Sequence, residues 1–537
     1  MMYAEKRLIL FIILSFSFIL PFPGALCFIT GITAPISILT QEVLPYKKLS
    51  IDKLINCSTI GKDVTFMAYD PYTEKRLPMN QELSHSKTAA QEENKMGYMP
   101  IPRLLFTMSL PIILSMLVQA LYNVVDSIFV ARINENALTA VSLAFPIQNL
   151  MISVATGTCV GVNALLSKSL GAKNYEQADK AASNAILLII CSYVVFAVFG
   201  IFGSRAFFMA QTSDPEIVEY GTQYLSIVCV CSIGVFLQIT MERLLQSTGR
   251  TFYSMVSQMA GALTNIIMDP ILIFGLFGFP EMGVAGAALA TVFGQILGTV
   301  IATYCNLKKN TDIHLSLKKL RFDFGTVKAI YAVGFPSILM MSIGSVMTFG
   351  MNKILLMFSS TAAAVFGVYF KLQSFFFMPV FGMNNGLVPI IAFNYGARRK
   401  DRIVEAIRLG CIAACAMLFA GTCAFHAIPQ VLLGFFNASP ELTEIGTVAL
   451  RIISISFIVA GFCIVIGSAF QALGNGVYTL INSICRQLVV LLPSAFVLAK
   501  LFGLNAVWWC FPLSECASLL ISVILLRRIF RTKLRNL

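Results

Sequence analysis

Apolar runs of about twenty residues recur along this chain, and they constrain its fold more than any other feature. A helix of about twenty residues is long enough to cross the roughly 30 Å hydrocarbon core of a bilayer. Of the 537 residues, 57% are hydrophobic and only 12% are charged, whereas soluble proteins carry roughly twice as much charge. The sequence therefore predicts an all-α integral membrane protein.

Twelve membrane-spanning helices are predicted, in two sets of six. The first set lies near residues 104–131, 138–168, 183–203, 217–246, 252–277 and 282–306. The second set lies near residues 327–358, 361–393, 404–426, 442–472, 476–501 and 505–530. We number them span 1 to span 12 along the chain.

Basic residues, which give the chain a formal net charge of +13, are concentrated on one side of the predicted spans. They gather at residues 168–180, 308–328, 398–408 and 527–535. The connections between them, such as 358–361 and 427–443, contain almost no Lys or Arg. Such alternation marks the cytoplasmic face of a membrane protein. It favours a topology signal over a nucleic-acid-binding patch, and it predicts that both ends of the twelve-span core are cytoplasmic.

The two sets of spans are related by an internal repeat at an offset of 225 residues. Pro111 matches Pro336, since 336 − 111 = 225. Glycines match at the same offset: Gly157 with Gly382, Gly161 with Gly386, Gly171 with Gly396 and Gly249 with Gly474. Because six spans return the chain to the side where it started, we expect two six-helix lobes related by a pseudo-twofold axis along the membrane normal. We place the N-lobe at 99–312 and the C-lobe at 313–537. Gly157, Gly161, Gly382 and Gly386 could mark backbone flexing during transport, but we expect them to allow close helix packing.

Residues 1–98 have no counterpart in this repeat. Lys6 and Arg7 precede an apolar run over 8–20, which is typical of a signal peptide or an anchor. One inserted segment here would place the basic connections on the wrong side of the membrane. We therefore expect a poorly ordered appendage, or a start codon assigned too early, with Met96 or Met99 nearer the true start.

Three carboxylates lie inside the predicted spans of the N-lobe: Asp126 in span 1, Glu242 in span 4 and Asp269 in span 5. An ionised side chain within the bilayer is costly, and it is typical of an ion or proton pathway. Offset 225 places Met351, Gly467 and Ser494 at the matching positions. The acids therefore predict that ion coupling is confined to the N-lobe.

Each acid has a polar neighbour on the same helical face. Gln119 precedes Asp126 by seven residues, and Gln238 and Asn265 precede their acids by four. Thr291 and Gln295 in span 6 have the same spacing of four. A single such residue would be a satisfied structural polar group, but four neighbouring polar stripes predict one shared hydrated pocket. That pocket could hold a proton, or it could bind Na⁺ through Asp126, Asn265 and Asp269.

The C-lobe contributes cations instead of acids at the same depth. Lys371 in span 8 is expected either to pair with an acid or to line the substrate cavity together with Gln238 and Gln295. Arg486 in span 11 is expected to be structural. Glu515 in span 12 is expected to be its partner, with a second proton site as the alternative. No Walker A loop, GxSxG or HExxH motif and no CxxC pair occurs in the sequence. We therefore predict no enzyme, no cofactor and no structural metal site.

With these motifs in place, the sequence resembles the multidrug and toxic compound extrusion (MATE) family over about residues 96–535. The resemblance rests on SLPIILSMLVQALYNVVDSIFVAR (109–132), SKSLGAKNYEQADKA (167–181), MERLLQSTGRT (241–251), NIIMDPILIFG (265–275) and FKLQSFFFMPVFGMNNGLVPIIAFNYGARRK (370–400). It implies two six-helix lobes that form a V in the cell (inner) membrane. It also implies a monomer that exports small cationic or amphipathic compounds in exchange for inward H⁺ or Na⁺, with no nucleic-acid partner.

By this resemblance, Asp126 and Asp269 correspond to the carboxylates of the family's N-lobe, with Gln119 and Asn265 beside them and Thr291 as the span 6 hydroxyl. Glu242 occupies a position where related transporters carry an amide. The alternative is a flippase for a lipid-linked or amphipathic precursor, for which Lys371 and Arg486 would provide a more cationic cavity.

Overall fold

The computed structural model describes residues 94–315, 321–436, 439–535 and 537. This part of the chain is almost entirely helical, and it contains no strand. The leader-like segment that the sequence suggested within residues 1–93 lies outside the described residues.

Ten helices are long and apolar enough to cross a membrane, and two bent helix pairs complete the predicted twelve spans. Spans 1 to 6 are Ile101–Ala131, Glu135–Gly171, Tyr175–Phe202, the pair Pro215–Val230 and Ile233–Ser247, Thr251–Phe274, and Gly283–Lys308. Spans 7 to 12 are Phe324–Leu355, Ser360–Gly396, Lys400–Ala427, the pair Pro440–Ser454 and Phe457–Ala472, Gly476–Phe502, and Leu504–Leu534.

Spans 4 and 10 are bent by 44° and 49°, where the sequence pattern predicted continuous helices. Neither break contains a proline or a glycine, so neither has a conventional sequence signal for a kink. Each contains a serine, Ser232 or Ser456. Ser456 Oγ donates to the Ile453 carbonyl at 2.6 Å, a local bond that competes with the helical pattern. At offset 225 the two breaks match to within one residue, so the bends follow the internal repeat.

The repeat is also present in the packing between the two sets of spans. A Cβ added to Gly157 of span 2 would lie 2.5 Å from the Ile338 side chain of span 7. A Cβ added to Gly382 of span 8 would lie 2.8 Å from the Ile113 side chain of span 1. The two contacts are equivalent, because 382 − 157 and 338 − 113 both equal 225.

Spans 2 and 8 also meet each other at their basic ends. A Cβ on Gly171 would lie 1.9 Å from the Phe393 carbonyl oxygen, and a Cβ on Gly396 would lie 2.0 Å from the Lys168 carbonyl oxygen. No side chain fits at either distance. The close-packing interpretation is therefore confirmed for Gly157 and Gly382, and the same kind of contact occurs at Gly171 and Gly396. We call this set of backbone contacts around Gly157, Gly171, Gly382 and Gly396 the glycine seam.

A short helix, Lys95–Tyr98, precedes span 1 and contacts both sets of spans at the basic face. Asn94 caps this helix and donates to the Thr248 carbonyl at 3.0 Å. Met96 is fully buried, and its carbonyl accepts from Asn394 Nδ2 at 3.3 Å and from Arg402 Nη2 at 3.1 Å. Burial and the nearby Arg250 lower the pKa of Lys95. Residues 94–98, which the sequence pattern grouped with the extension, thus pack into the body of the protein.

Candidate functional site

Spans 5 and 6 are joined through Asn265, which lies between Asp269 and Thr291. With the amide oriented so that both of its ends are satisfied, Asn265 Nδ2 donates to Asp269 Oδ2 at 3.2 Å. Its Oδ1 then accepts from the Thr291 amide and hydroxyl, both at 3.2 Å. Asp269 and Asn265 are both buried. The carboxylate, amide and hydroxyl predicted from the spacing are thus brought together.

Asp126 of span 1 lies within electrostatic range of Asp269, so the two carboxylates repel each other when both are ionised. Its Oδ1 is buried and has no hydrogen-bond partner within the described residues. No Lys or Arg in the described part of the chain forms an ion pair with Asp126 or Asp269. Two carboxylates without a cationic partner in a membrane-spanning bundle are a site that can take up a proton or a small cation.

The backbone beside Asp269 adds another acceptor. Pro270 follows immediately and lies inside the helix. Proline has no N–H, so the carbonyl four residues earlier, that of Ile266, lacks its helical donor. Carboxylate, amide, hydroxyl and carbonyl oxygens are the donors that hard cations such as Na⁺ prefer.

Glu242 lies apart from this acid pair. It accepts from Gln238 Nε2 at 3.0 Å and from Ser257 Oγ at 3.1 Å. Ser257 precedes Asp269 by twelve residues on span 5, which corresponds to about 18 Å along the helix axis. Spans 4 and 5 run antiparallel from the turn at 248–250, and Glu242 is near that turn whereas Asp269 is near the far end. The prediction that three acids share one pocket is therefore wrong for Glu242.

Gln119 lies between the two acidic regions. Its Oε1 accepts from Gln258 Nε2 of span 5 at 2.9 Å. Gln258 was not among the predicted site residues, although it precedes Asn265 by the same seven residues that separate Gln119 from Asp126. Span 5 thus presents polar residues at three levels, from Ser257 and Gln258 through Asn265 to Asp269.

Two tyrosines near the acid pair were also missed. Tyr122 and Tyr224 both lie close to Asp126 and Asp269. The Tyr224 hydroxyl accepts from Gln148 Nε2 at 3.1 Å. Tyr122 could have been found, because it precedes Asp126 by four residues and shares its helical face. Tyr224 could not, because its approach depends on how span 4 packs against span 2.

Of the three residues predicted to line a substrate cavity, Gln238 and Gln295 both lie where spans 4 and 6 pack together, and Lys371 lies apart on span 8. Gln238 is bonded to Glu242. Gln295 packs against Gly234 of span 4, where a Cβ on the glycine would lie 3.3 Å from the Gln295 Cβ. Lys371 is exposed, and its Nζ lies 6.0 Å from the centre of the Phe436 ring. Within the described residues Lys371 has no acidic partner, so the pairing that the sequence left open is not observed.

In the C-lobe, Arg486 Nη1 donates to Glu515 Oε1 at 2.9 Å. The expected pairing of these two residues is confirmed.

Relatives of this chain are multidrug export proteins by name. The multidrug export protein MepA of Staphylococcus haemolyticus (strain JCSC1435) is 27% identical over 425 residues, which are 78% of this chain and 91% of that protein. MepA of Staphylococcus aureus (strain bovine RF122 / ET3-1) is 26% identical over 445 residues, which are 80% of this chain and 94% of that protein.

Among solved structures, the outward-facing conformation of a multidrug resistance MATE family transporter of the MOP superfamily is similar to this chain. The TM-score is 0.78 at 23% identity, and the match covers 83% of this chain and 99% of that one. This likeness shows that the fold is shared.

The MatE family model matches the chain twice, over residues 111–271 and 336–497. The two matches begin 225 residues apart, as the internal repeat predicts, and one falls in each set of six spans. Together they cover more than half of the sequence, so this protein belongs to the MatE family of membrane transporters.

Proposed function

We propose that this protein is a secondary antiporter that exports small cationic or amphipathic compounds in exchange for inward H⁺ or Na⁺. Members of its family are transporters and not enzymes. The names of the MepA relatives support the substrate class. The observation that carries the antiport mechanism is the pairing of Asp126 with Asp269 on different spans, without a cationic partner in the described part of the chain.

The physics of the acid pair supports ion coupling. Two carboxylates that face each other in a medium of low dielectric constant repel strongly. A bound proton or Na⁺ removes that repulsion, and it allows spans 1, 5 and 6 to pack more closely around Asn265. An ion that binds one arrangement of these spans better than another shifts the population between them, which is the requirement for coupling.

The direction of opening follows from the glycine seam and the charge pattern. The basic connections support an orientation in which the seam's Gly171–Gly396 end is at the cytoplasmic face of the cell (inner) membrane. Spans 2 and 8 are closely packed there, so we assign this conformation to the state that is closed toward the cytoplasm. Opening toward the cytoplasm then requires the N-lobe (99–312) and the C-lobe (313–537) to separate along the seam.

The experiment that tests this function is uptake of a fluorescent organic cation by proteoliposomes under separately imposed pH and Na⁺ gradients. We expect Asp269→Asn to abolish gradient-driven transport, because one half of the acid pair is lost. Glu281→Gln is the matched control, since Glu281 is an exposed acid in the connection that follows span 5. Transport by Asp269→Asn at the level of the control would refute the mechanism.

The alternative, a flippase for a lipid-linked precursor, is less well supported. It relied on a cationic cavity formed by Lys371 and Arg486, but Arg486 is paired with Glu515. Rescue of a precursor-flipping defect by this protein, without any drug export, would reverse this ranking.

A further inference from the structure

A second buried polar centre lies in the C-lobe, where Arg486 of span 11 meets Glu515 of span 12. One guanidinium nitrogen, Nη1, donates to Glu515 Oε1 at 2.9 Å. The side chains of Arg486 and Glu515 are 27% and 11% exposed. The second carboxylate oxygen, Oε2, is buried and has no hydrogen-bond partner within the described residues. A single fixed cation therefore neutralises the carboxylate, and its second oxygen, Oε2, remains free to accept.

This centre occupies nearly the same place in the repeat as the N-lobe site. Asn265 and Thr291 join spans 5 and 6, and offset 225 carries them to positions 490 and 516. Arg486 lies one helical turn before position 490, and Glu515 is adjacent to position 516. Each lobe thus has a polar contact between its fifth and sixth spans. The N-lobe centre has two acids without a cationic partner, and the C-lobe centre has one acid with an arginine.

The backbone around Arg486 differs from that of its N-lobe counterpart. Span 11 contains a π-helical segment over Cys485–Leu491, whereas the matching part of span 5 lies within the α-helix Thr251–Phe274. Such wide turns are frequent at functional positions in helices. Asn482 Nδ2, one turn before Arg486, donates to Ser518 Oγ at 3.0 Å and to Ser522 Oγ at 3.2 Å. These bonds fix the distance between spans 11 and 12 on one side of the ion pair.

The other titratable groups that face Glu515 carry no positive charge. They are Tyr369 of span 8 and Cys463 of span 10. Arg486 is therefore the group that supplies positive charge to Glu515 within the described residues. If Arg486 were removed, Glu515 would be a buried carboxylate without a cationic partner in the described part of the chain, as Asp126 and Asp269 are.

We propose that Arg486 is a fixed counter-ion that excludes an exchangeable cation from the C-lobe, so that ion exchange is confined to Asp126 and Asp269. This inference rests on the proposed antiport function, because it explains why only one lobe is coupled. Arg486 is a positioning residue, and it sets the number of coupling sites by holding Glu515 permanently neutralised.

The test uses the purified full chain in which Asp126→Asn and Asp269→Asn silence the N-lobe. Thermal unfolding is measured across a pH series, with Na⁺ or with choline as the cation. We expect the midpoint of this parent protein to be insensitive to Na⁺. Adding Arg486→Gln should create a midpoint that rises when Na⁺ is added or when the pH is lowered. Adding Glu515→Gln to that variant should remove the response, and Arg486→Lys should behave like the parent.

An Arg486→Gln variant that responds no more than the variant with both substitutions would overturn the proposal. If Arg486→Gln does not fold, Glu515→Gln in the otherwise unaltered protein provides the second test. We expect it to lower the yield of folded protein but to leave the dependence of transport per molecule on pH and Na⁺ unchanged. A changed ion dependence would show that Glu515 is itself a coupling residue.

These outcomes differ from a failure of the proposed function. That failure would appear as undiminished transport by Asp269→Asn. The comparison of Arg486→Gln with its Glu515→Gln double variant does not depend on transport.

Discussion

Asn265 is the residue that connects the acid pair to a neighbouring span, since it bonds both Asp269 and Thr291. A hydrogen bond to a charged group contributes about 1.5–3 kcal/mol. We therefore expect Asn265→Ala to raise the ion concentration that gives half-maximal transport by roughly tenfold or more. Thr264→Val is the matched control, because Thr264 is the adjacent residue and bonds its own helix at the Ala260 carbonyl. Equal effects of the two substitutions would contradict this role.

The separation of Glu242 from the acid pair predicts which substitutions have additive effects on the free energy of unfolding. At high pH without Na⁺, neutralising either Asp126 or Asp269 should stabilise the protein by relieving their repulsion. Neutralising both should stabilise it by less than the sum, with a shortfall of about 0.5–3 kcal/mol. Glu242→Gln and Asp269→Asn should instead be additive within about 0.5 kcal/mol, because their sites do not touch. Free energies of unfolding for the single and double variants measure both cycles, and a shortfall in the Glu242 cycle would place Glu242 in the same site.

At the scale of helices, the close contacts of the glycine seam predict that one added methyl group shifts the equilibrium between the cytoplasm-closed and the cytoplasm-open state. A Cβ at Gly171 or Gly396 meets a backbone carbonyl oxygen at 1.9 or 2.0 Å, and a backbone atom cannot move aside as a side chain can. We expect Gly171→Ala and Gly396→Ala each to favour the cytoplasm-open state by at least about tenfold, or roughly 1.4 kcal/mol. Labelling of cysteines introduced at the cytoplasmic ends of spans 2 and 8 measures this shift.

Gly367→Ala is the matched control for the seam. Gly367 is also a glycine inside span 8, but no atom lies within 4 Å of its added Cβ. Alanine there should leave the conformational equilibrium unchanged and stabilise the helix by up to about 1 kcal/mol. Cysteine labelling that responds as strongly to Gly367→Ala as to Gly171→Ala would show that the seam contacts do not control opening.

Helix-scale features were the most predictable from sequence. Hydropathy predicted twelve spans, and the match of Pro111 with Pro336 indicated the repeat, because these patterns depend only on local residues. The similar depth of Asp126 and Asp269 followed from the position of both acids near the same ends of their spans. The sequence predicted that Asn265 and Thr291 share a pocket, but it could not predict their direct hydrogen bond, which depends on how spans 5 and 6 rotate against each other. The bends at Ser232 and Ser456 were missed because serine is common in helices that do not bend.

At the scale of the whole molecule, residues 94–98 link the two lobes at the basic face. Arg402 of span 9 donates through Nη2 to the Met96 carbonyl at 3.1 Å and to the Met99 carbonyl at 2.7 Å, and through Nε to Asn394. On the other side, Asn94 donates to the Thr248 carbonyl in the turn between spans 4 and 5. The segment must therefore release one lobe before the cytoplasmic side can open.

We predict that breaking this link between the lobes favours the cytoplasm-open state and lowers the stability of the protein. Arg402→Ala removes two charged hydrogen bonds to the carbonyls of residues 96 and 99, each of which contributes about 1.5–3 kcal/mol. Cysteine labelling at the cytoplasmic ends of spans 2 and 8, together with thermal unfolding in detergent, measures both effects. Arg408→Ala provides the comparison, because Arg408 is an exposed arginine on the same helix. Equal labelling and equal stability of the two variants would show that the short helix packs against both lobes but does not hold them together.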